Sequence, residues 1–335
     1  MAGLDLKDRK ILYELDIDAR QSDSRIAKKV GLSRDAVAYR INRMTEEGYI
    51  KGFITHINTV KLGYTWHAVL FRFHNIAYDK EDEMYDWLVR KTNWVAHVES
   101  SWDVGIGVIA KDAQEYNKVI SEFFDMYNSQ IKDYQLDIMV NDWICTRDFL
   151  IEKKQRTRKP LLLGFEQGKT QKVEKIDKID FKILKAILSD ARKKTTEIAR
   201  ETGLTEMIVS YRMKGMKERG IILGYRTFLS MSKLGRALFK VTFKLVDYSV
   251  EDRKRFFNYL IHHPLVDRVT EFIPRSEIEV KMAVLKVSEL YEEIAKIRDR
   301  FNRIIGDYEM LHFVEEFKNV QLPLKYLENK KLKKE

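Results

Sequence analysis

Along the first sixty residues the apolar positions fall at helical spacing. Ile11, Leu12 and Leu15 follow Asp8 at offsets of three, four and seven, which predicts one amphipathic helix with acidic residues at its start. A second helix is predicted from Ser24 to Val30, where Gly31 ends it, Leu32 plugs the core and Ser33 stands ready to cap a third helix. On that third helix Val37, Ile41 and Met44 share the core side, leaving Asp35, Ala38, Tyr39, Asn42 and Arg43 on the other. After Gly48 the pattern changes to the alternation of a strand, Tyr49 to Ile57, read as a wing beside the third helix. Helix, glycine turn, helix and strand form the bihelical pattern of major-groove readers.

The same pattern returns 172 positions later. Asp18-Ala19-Arg20, Ile26-Ala27, Gly31-Leu32, Tyr39-Arg40 and Lys61-Leu62-Gly63 recur as Asp190-Ala191-Arg192, Ile198-Ala199, Gly203-Leu204, Tyr211-Arg212 and Lys233-Leu234-Gly235. Without gaps, 4–63 and 176–235 share roughly 24 of 60 residues, so the chain is two copies of one module rather than a solenoid. After each copy the order is strand, helix, strand, strand, helix, strand. In the first half these are 68–73, 80–90, 94–99, 104–110, 113–127 and 134–143; in the second, 238–246, 250–262, 266–272, 278–285, 288–303 and 308–317. That order specifies a ferredoxin-like βαββαβ sandwich. The expected class is therefore α+β, two winged helix-turn-helix domains (1–63 and 176–235) alternating with two ferredoxin-like domains (64–151 and 236–322). A linker at 152–175 and a basic tail at 323–335 complete the division.

With 335 residues, 44% hydrophobic, 33% charged and four prolines, the composition suits several compact cores. A formal charge of +10 attracts a polyanion, and the excess is unevenly placed: the winged segments carry +3 and +6, the linker +5, residues 236–335 together +3 and the first ferredoxin-like segment −7. The acidic domain is expected to avoid DNA and either to present a solvated face or to meet a basic protein surface. Met1 to Arg20 is amphipathic and charged, and no run approaches the length of a membrane span, so a soluble, cytoplasmic protein without a membrane partner is expected. Cys145, the only cysteine, excludes an intrachain disulfide and a cysteine-cluster zinc site and reads as a small buried hydrophobe.

Candidate DNA contacts follow from the third helix. Arg34 and Arg43 can reach phosphates or guanine edges, Tyr39 offers a hydroxyl on an apolar ring, and small Ala38 permits close approach. Ser33, Asp35, Asn42 and the wing residue Lys51 complete the first set. Arg40, between faces, is divided between a phosphate and a structural ion pair. The second copy offers Thr205, Ser210, Tyr211, Arg212 and Lys214, but Glu206 replaces Arg34, Met207 replaces Asp35 and Gly215 replaces Arg43, so its readout must differ.

These residues, Leu-Asp-x-x-Asp-x-x-Ile-Leu, Ile26-Ala27, Gly31-Leu32-Ser33, Val37, Arg40-Ile41 and Gly48-Tyr49-Ile50, resemble the Lrp/AsnC feast/famine regulators across about sixty positions, twice over. Most members carry one copy. The resemblance implies a double-stranded DNA partner and ferredoxin-like domains that dimerise, here as a homodimer or an intrachain pseudo-dimer. It also implies an amino-acid effector near a Gly-x-x-Asp turn. Here that turn reads Ser100-Ser101-Trp102-Asp103, so Ser100 and Asp103 are the candidate effector residues, with a structural turn as the better expectation; the second copy lacks the motif. A basal transcription factor or RNA polymerase is a further expected partner.

No metal-ligand helix, phosphate loop, serine elbow or spare cysteine is present, so neither enzyme nor cofactor is expected. Gly105-Ile106-Gly107 lies inside a strand and reads as close packing; Trp94, Trp102, Trp143, Phe123 and Phe124 read as core or interface anchors. The competing reading is an architectural, RNA-binding or protein-binding winged-helix module without sequence specificity.

Overall fold

The computed structural model describes residues 3–74, 76, 78–152, 158–164, 172–188, 190–273 and 277–324. The first half contains α1 (Leu6–Ile17), α2 (Asp23–Val30), α3 (Arg34–Glu46), β1 (Ile50–Ile57), β2 (Thr65–Phe73), α4 (Tyr78–Lys91), β3 (Trp94–Glu99), β4 (Val104–Ala110), α5 (Ala113–Tyr127) and β5 (Ile131–Ile144). A short strand β6 (Leu161–Gly164) precedes the second half, which holds α6 (Lys178–Leu188), α7 (Thr195–Thr202), α8 (Glu206–Glu218), β7 (Ile222–Leu229), β8 (Ala237–Leu245), α9 (Val250–His262), β9 (Val266–Ile273), β10 (Glu277–Val284), α10 (Val287–Arg300) and β11 (Ile305–Asn319). The expected α+β order is present in both halves.

Each helical trio closes over its own core, Ile11, Leu12, Leu15, Ile26, Val37, Ile41 and Met44 in the first and Ile183, Leu184, Ile187, Ile198, Val209, Met213 and Met216 in the second. Local chemistry sets the helix ends. Asp5 and Asp8 form a capping box at α1, Ser22 and Ser33 cap α2 and α3, and Gly31 leaves α2 at φ 67°, a conformation that favours glycine.

The strand after each third helix does not fold back as a separate wing hairpin. Instead β1 pairs antiparallel with β7, its counterpart in the other copy. Ile54 faces Arg226, the residue 172 positions on, so a pseudo-twofold axis runs through that pair. The repeated triplets serve the same axis reciprocally. Ala19 N–H donates to the Tyr225 carbonyl at 2.8 Å and Ala191 N–H to that of Phe53 at 3.0 Å. Arg20 donates to the carbonyls of Ala191 and Lys193, and Arg192 to those of Ala19 and Gln21. Lys61 donates to the Arg219 carbonyl at 2.8 Å, while Lys233 lies against Gly48. One chain thus builds its own pseudo-dimer.

The ferredoxin-like sheets, β5-β2-β4-β3 and β11-β8-β10-β9, join edge to edge. The long strands β5 and β11 pair at one end within their own sheet and at the other with β9 and β3 of the opposite sheet. The result is a closed ring of eight antiparallel strands with α4, α5, α9 and α10 outside, and no sheet edge is left open within it. Alternation along each strand sends Val69, Phe71 and Ile106, or Val241, Phe243 and Val280, outward beneath the helices. Trp66, Ala68, Lys240 and Lys281 point into the lumen.

The expected linker 152–175 is partly structured: Leu161 to Gly164 form β6, which pairs with Asn141 to Ile144 of β5. Its residues 153–157 and 165–171, and 325–335 of the expected tail, lie outside the described residues. Gly105 and Gly107 open the lumen wall for two tryptophans. A Cβ at Gly107 would stand 2.7 Å from the Trp66 ring and one at Gly105 3.0 Å from that of Trp94, which accounts for the glycine pair by close packing.

Candidate nucleic-acid interface

The capping hydroxyls fix where each third helix begins. Ser33 Oγ accepts from Ala36 N–H at 3.2 Å and Thr205 Oγ1 from Ile208 N–H at 3.3 Å, so both candidate hydroxyls already serve the helix. Burial of Val37, Ile41 and Met44 turns Arg34, Asp35, Tyr39 and Asn42 to solvent, with Ala38 at the margin. On α8 the same geometry exposes Glu206, Met207, Ser210, Tyr211 and Lys214. Tyr39 is 68% and Tyr211 76% exposed, high values for aromatic rings held on ordered helices. Among the described residues Arg34 is exposed and forms no ion pair, and Lys214 pairs with Glu218 alone, at 3.8 Å.

Two expected readers are otherwise engaged. Arg40 Nη1 lies 2.7 Å from both Asp5 and Asp8, and Arg43 Nη2 lies 2.6 Å from Asp8, whose carboxylate is 1% exposed. The Asp8 backbone N–H, followed by the Arg40 guanidinium, holds the Asp5 carboxyl below its ordinary range. Both guanidiniums are thus committed to ion pairs with the carboxylates of α1 and its cap, and turning Arg43 to a base edge would uncover a buried carboxylate.

The second copy confirms this from its own substitutions. Arg212 pairs with Asp177 at 2.7 Å and with Asp180 at 3.3 Å. Gly215 stands where Arg43 stood, yet Asp180 still receives a second guanidinium, from Arg219 at 2.9 Å, in the position of Glu47. The arginine has moved one turn along the helix while its carboxylate partner stays, which marks Arg43 as a residue of the helix-to-helix contact. No single-residue pattern on the third helix could have shown that, because the partner lies 35 residues upstream.

Lys51 is placed on β1, its ammonium 5.7 Å from the centre of the Phe228 ring and 4.0 Å from Glu315 of the barrel. The expected wing contact is thus turned toward the junction of the winged layer and the barrel. The expected effector turn also makes structural contacts of its own. Asp103 Oδ2 accepts from Phe73 N–H at 2.7 Å, and Ser100 sits at φ 122°, the glycine-favouring region, where the resembled motif has glycine.

A network missed by sequence reasoning fastens the winged layer to the barrel. Asp16, at the end of α1, pairs with Arg226 of β7 and, at 2.7 Å, with Arg147; Arg147 reaches Asp267 of β9 at 3.0 Å. All four side chains are buried or nearly so. Burial, reinforced by Arg226, Arg268 and Arg147, holds the neighbouring His56 well below the ordinary imidazole range.

Comparison with known proteins agrees with the duplicated design. Residues 4–45 match an AsnC-type helix-turn-helix domain and residues 176–222 a winged helix-turn-helix DNA-binding domain. An uncharacterized HTH-type transcriptional regulator of Pyrococcus horikoshii is 32% identical over 120 residues, covering 35% of this chain and 80% of the relative. The proline dehydrogenase transcriptional activator of Rhodobacter capsulatus is 32% identical over 122 residues, covering 36% of this chain and 79% of the relative. Among solved structures, the siroheme decarboxylase NirDL superposes on 94% of this chain and 93% of its own, with a TM-score of 0.60 at 13% identity, a likeness of fold. Two helix-turn-helix regions and relatives of one-module size, each matching about a third of the chain, identify this protein as a duplicated member of the Lrp/AsnC family of transcription regulators.

Proposed function

We propose that the chain is a sequence-specific double-stranded DNA-binding regulator that acts in the cytoplasm and reads major grooves with α3 and α8. The observation that carries this reading is the exposed face of each third helix, with Tyr39 and Tyr211 projecting from equivalent positions about one pseudo-twofold axis. Arg34, Tyr39, Asn42 and Ala38 make the base-facing set of the first head, with Asp35 at its start; Ser210, Tyr211 and Lys214 make that of the second. The barrel fixes the spacing between heads that differ, which favours an asymmetric site for one chain. The acidic domain, at net −7, is the surface offered to a basal transcription factor or RNA polymerase. The shared fold with a decarboxylase at 13% identity carries no chemistry with it.

The test is fluorescence anisotropy on a selected duplex and on a scrambled one. Arg34→Ala and Tyr39→Ala are expected to weaken specific binding by about 1–3 kcal/mol while leaving the scrambled duplex nearly unaffected for Tyr39→Ala. Equal loss on both duplexes would favour the architectural reading. For the second head, Glu206 beside a 79% exposed Met207 favours protein docking as a competing use, because the carboxylate repels phosphates.

A further inference from the structure

The eight-stranded ring surrounds a partly open cavity of about 80 Å³ between the two ferredoxin-like sheets. Rings of eight strands leave an interior that side chains fill or that holds one small ligand. Here the two walls differ. The first sheet contributes Trp66, Trp94, Gly107 and one carboxylate, Asp142 of β5, while the second contributes the other charged groups from β8, β9 and β10.

Those charges do not cancel. Five ionic side chains line the cavity, and four of them are paired: Lys240 with Glu279 at 2.5 Å and Arg268 with Asp142 at 3.2 Å. Lys281 is the fifth. It is 9% exposed and has no carboxylate or hydrogen-bond acceptor among the described residues, its ammonium lying instead 4.3 Å from the centre of the Phe313 ring and 5.0 Å from that of Trp94. Burial holds its pKa below the ordinary lysine range, against the pull of Glu316 and Glu279. Two further buried polar atoms of lining residues, the Trp66 indole N–H and the Gln321 Oε1, have no hydrogen-bond partner among the described residues. A buried cation and two unspent hydrogen-bonding atoms around one cavity cost stability unless something satisfies them.

We infer that the barrel lumen is a binding site for a small monocarboxylate, its carboxylate on Lys281 and its apolar part against the Trp66, Trp94 and Phe313 rings. The net single positive charge of the lining favours a monoanion over a neutral or dianionic molecule. The volume, at roughly 15 Å³ per heavy atom, admits a molecule of about five or six. An amino acid fits less well, since both carboxylates of the lining are already committed to cations and none remains for its ammonium group. The site is separate from the Ser100–Asp103 turn, and its occupancy is independent of whether the heads bind DNA.

The probe is L-lactate, titrated into the full chain by calorimetry with thermal melting in parallel, alongside lactamide, alanine and sodium chloride at equal ionic strength. Lactate is expected to bind one per chain with a millimolar or tighter Kd and to raise the melting temperature; lactamide and alanine are expected to bind at least about tenfold more weakly. Lys281→Met is expected to lose the same factor, and Ala68→Leu, which fills the cavity from β2 while leaving the lysine in place, to abolish binding. Equal affinity for lactate and lactamide, undiminished binding by either variant, or no saturable heat up to about 50 mM lactate would each overturn the assignment.

Discussion

Replacing Asp16 by leucine isolates the network that fastens the winged layer to the barrel. In the native chain the Asp16 carboxylate accepts from Arg226 Nε at 3.1 Å and pairs with its Nη2, and it also accepts from the Arg147 backbone N–H at 2.8 Å and side chain at 2.7 Å. Removing it leaves the Arg226 guanidinium, 3% exposed, without a carboxylate, whereas Arg147 retains Asp267. Breaking one side of a buried pair costs about 3–5 kcal/mol, a large share of the stability of a typical domain. The pseudo-symmetry supplies the control. Leu188 occupies the position equivalent to Asp16, and Ile54, which faces Arg226 across the axis, occupies the position equivalent to Arg226. The double variant Asp16→Leu/Arg226→Ile is therefore expected to recover to within about 1–2 kcal/mol of the native chain, since a buried pair replaced by apolar residues of fitting volume is near neutral. Urea unfolding followed by tryptophan fluorescence and circular dichroism reads both variants. A loss below about 1 kcal/mol for Asp16→Leu alone, or a double variant as unstable as the single one, would refute the reasoning.

Further outcomes follow from the same geometry. His56 is held neutral by burial and by Arg226, Arg268 and Arg147, so its folded pKa lies below the unfolded value near 6.5. Its contribution is fully present above that value and is lost as the pH falls below it toward the folded pKa, so the melting temperature should decline more steeply between about pH 6.5 and 5 in the native chain than in His56→Gln. Ser100→Gly relieves the φ of 122° and is expected to stabilise by about 0.5–1 kcal/mol in denaturant unfolding; destabilisation would show that the serine side chain is needed. Arg43→Ala should lower the melting temperature as well as DNA affinity because it uncovers Asp8, whereas Arg34→Ala should change affinity alone; thermal melts and anisotropy on the same samples separate them.

The fold was legible where local patterning decides it. The 172-residue offset, the glycine at Gly31, the Ser33 cap and the strand alternation each act within a few residues, and the strand 104–110 and helices 113–127 and 250–262 match their expected bounds. What escaped depends on partners far along the chain. The pairing of β1 with β7, the closure of the barrel by two over-long strands, and the Asp16, Arg147, Arg226 and Asp267 network all join residues more than a hundred positions apart, with no periodic trace. Leu161 to Leu163 were readable as an apolar run in a basic stretch, but only the free edge of β5 makes them a strand. The candidate interface was half legible. Helical spacing exposed Tyr39 and Arg34 correctly, yet it could not show that Asp8, on another helix, claims Arg40 and Arg43. The repeated Asp-Ala-Arg and Lys-Leu-Gly triplets carried a signal beyond duplication, since they are the residues that clamp the copies reciprocally.

The most direct measurement of the central claim is selection of bound duplexes from random and genomic DNA by the purified full chain at two salt concentrations. The account predicts a short enriched motif that lacks twofold symmetry, an affinity that falls steeply with salt, and loss of enrichment at the first head's half of the motif in Tyr39→Ala. Uniform recovery of all sequences, unchanged by Tyr39→Ala and Tyr211→Ala, would contradict it.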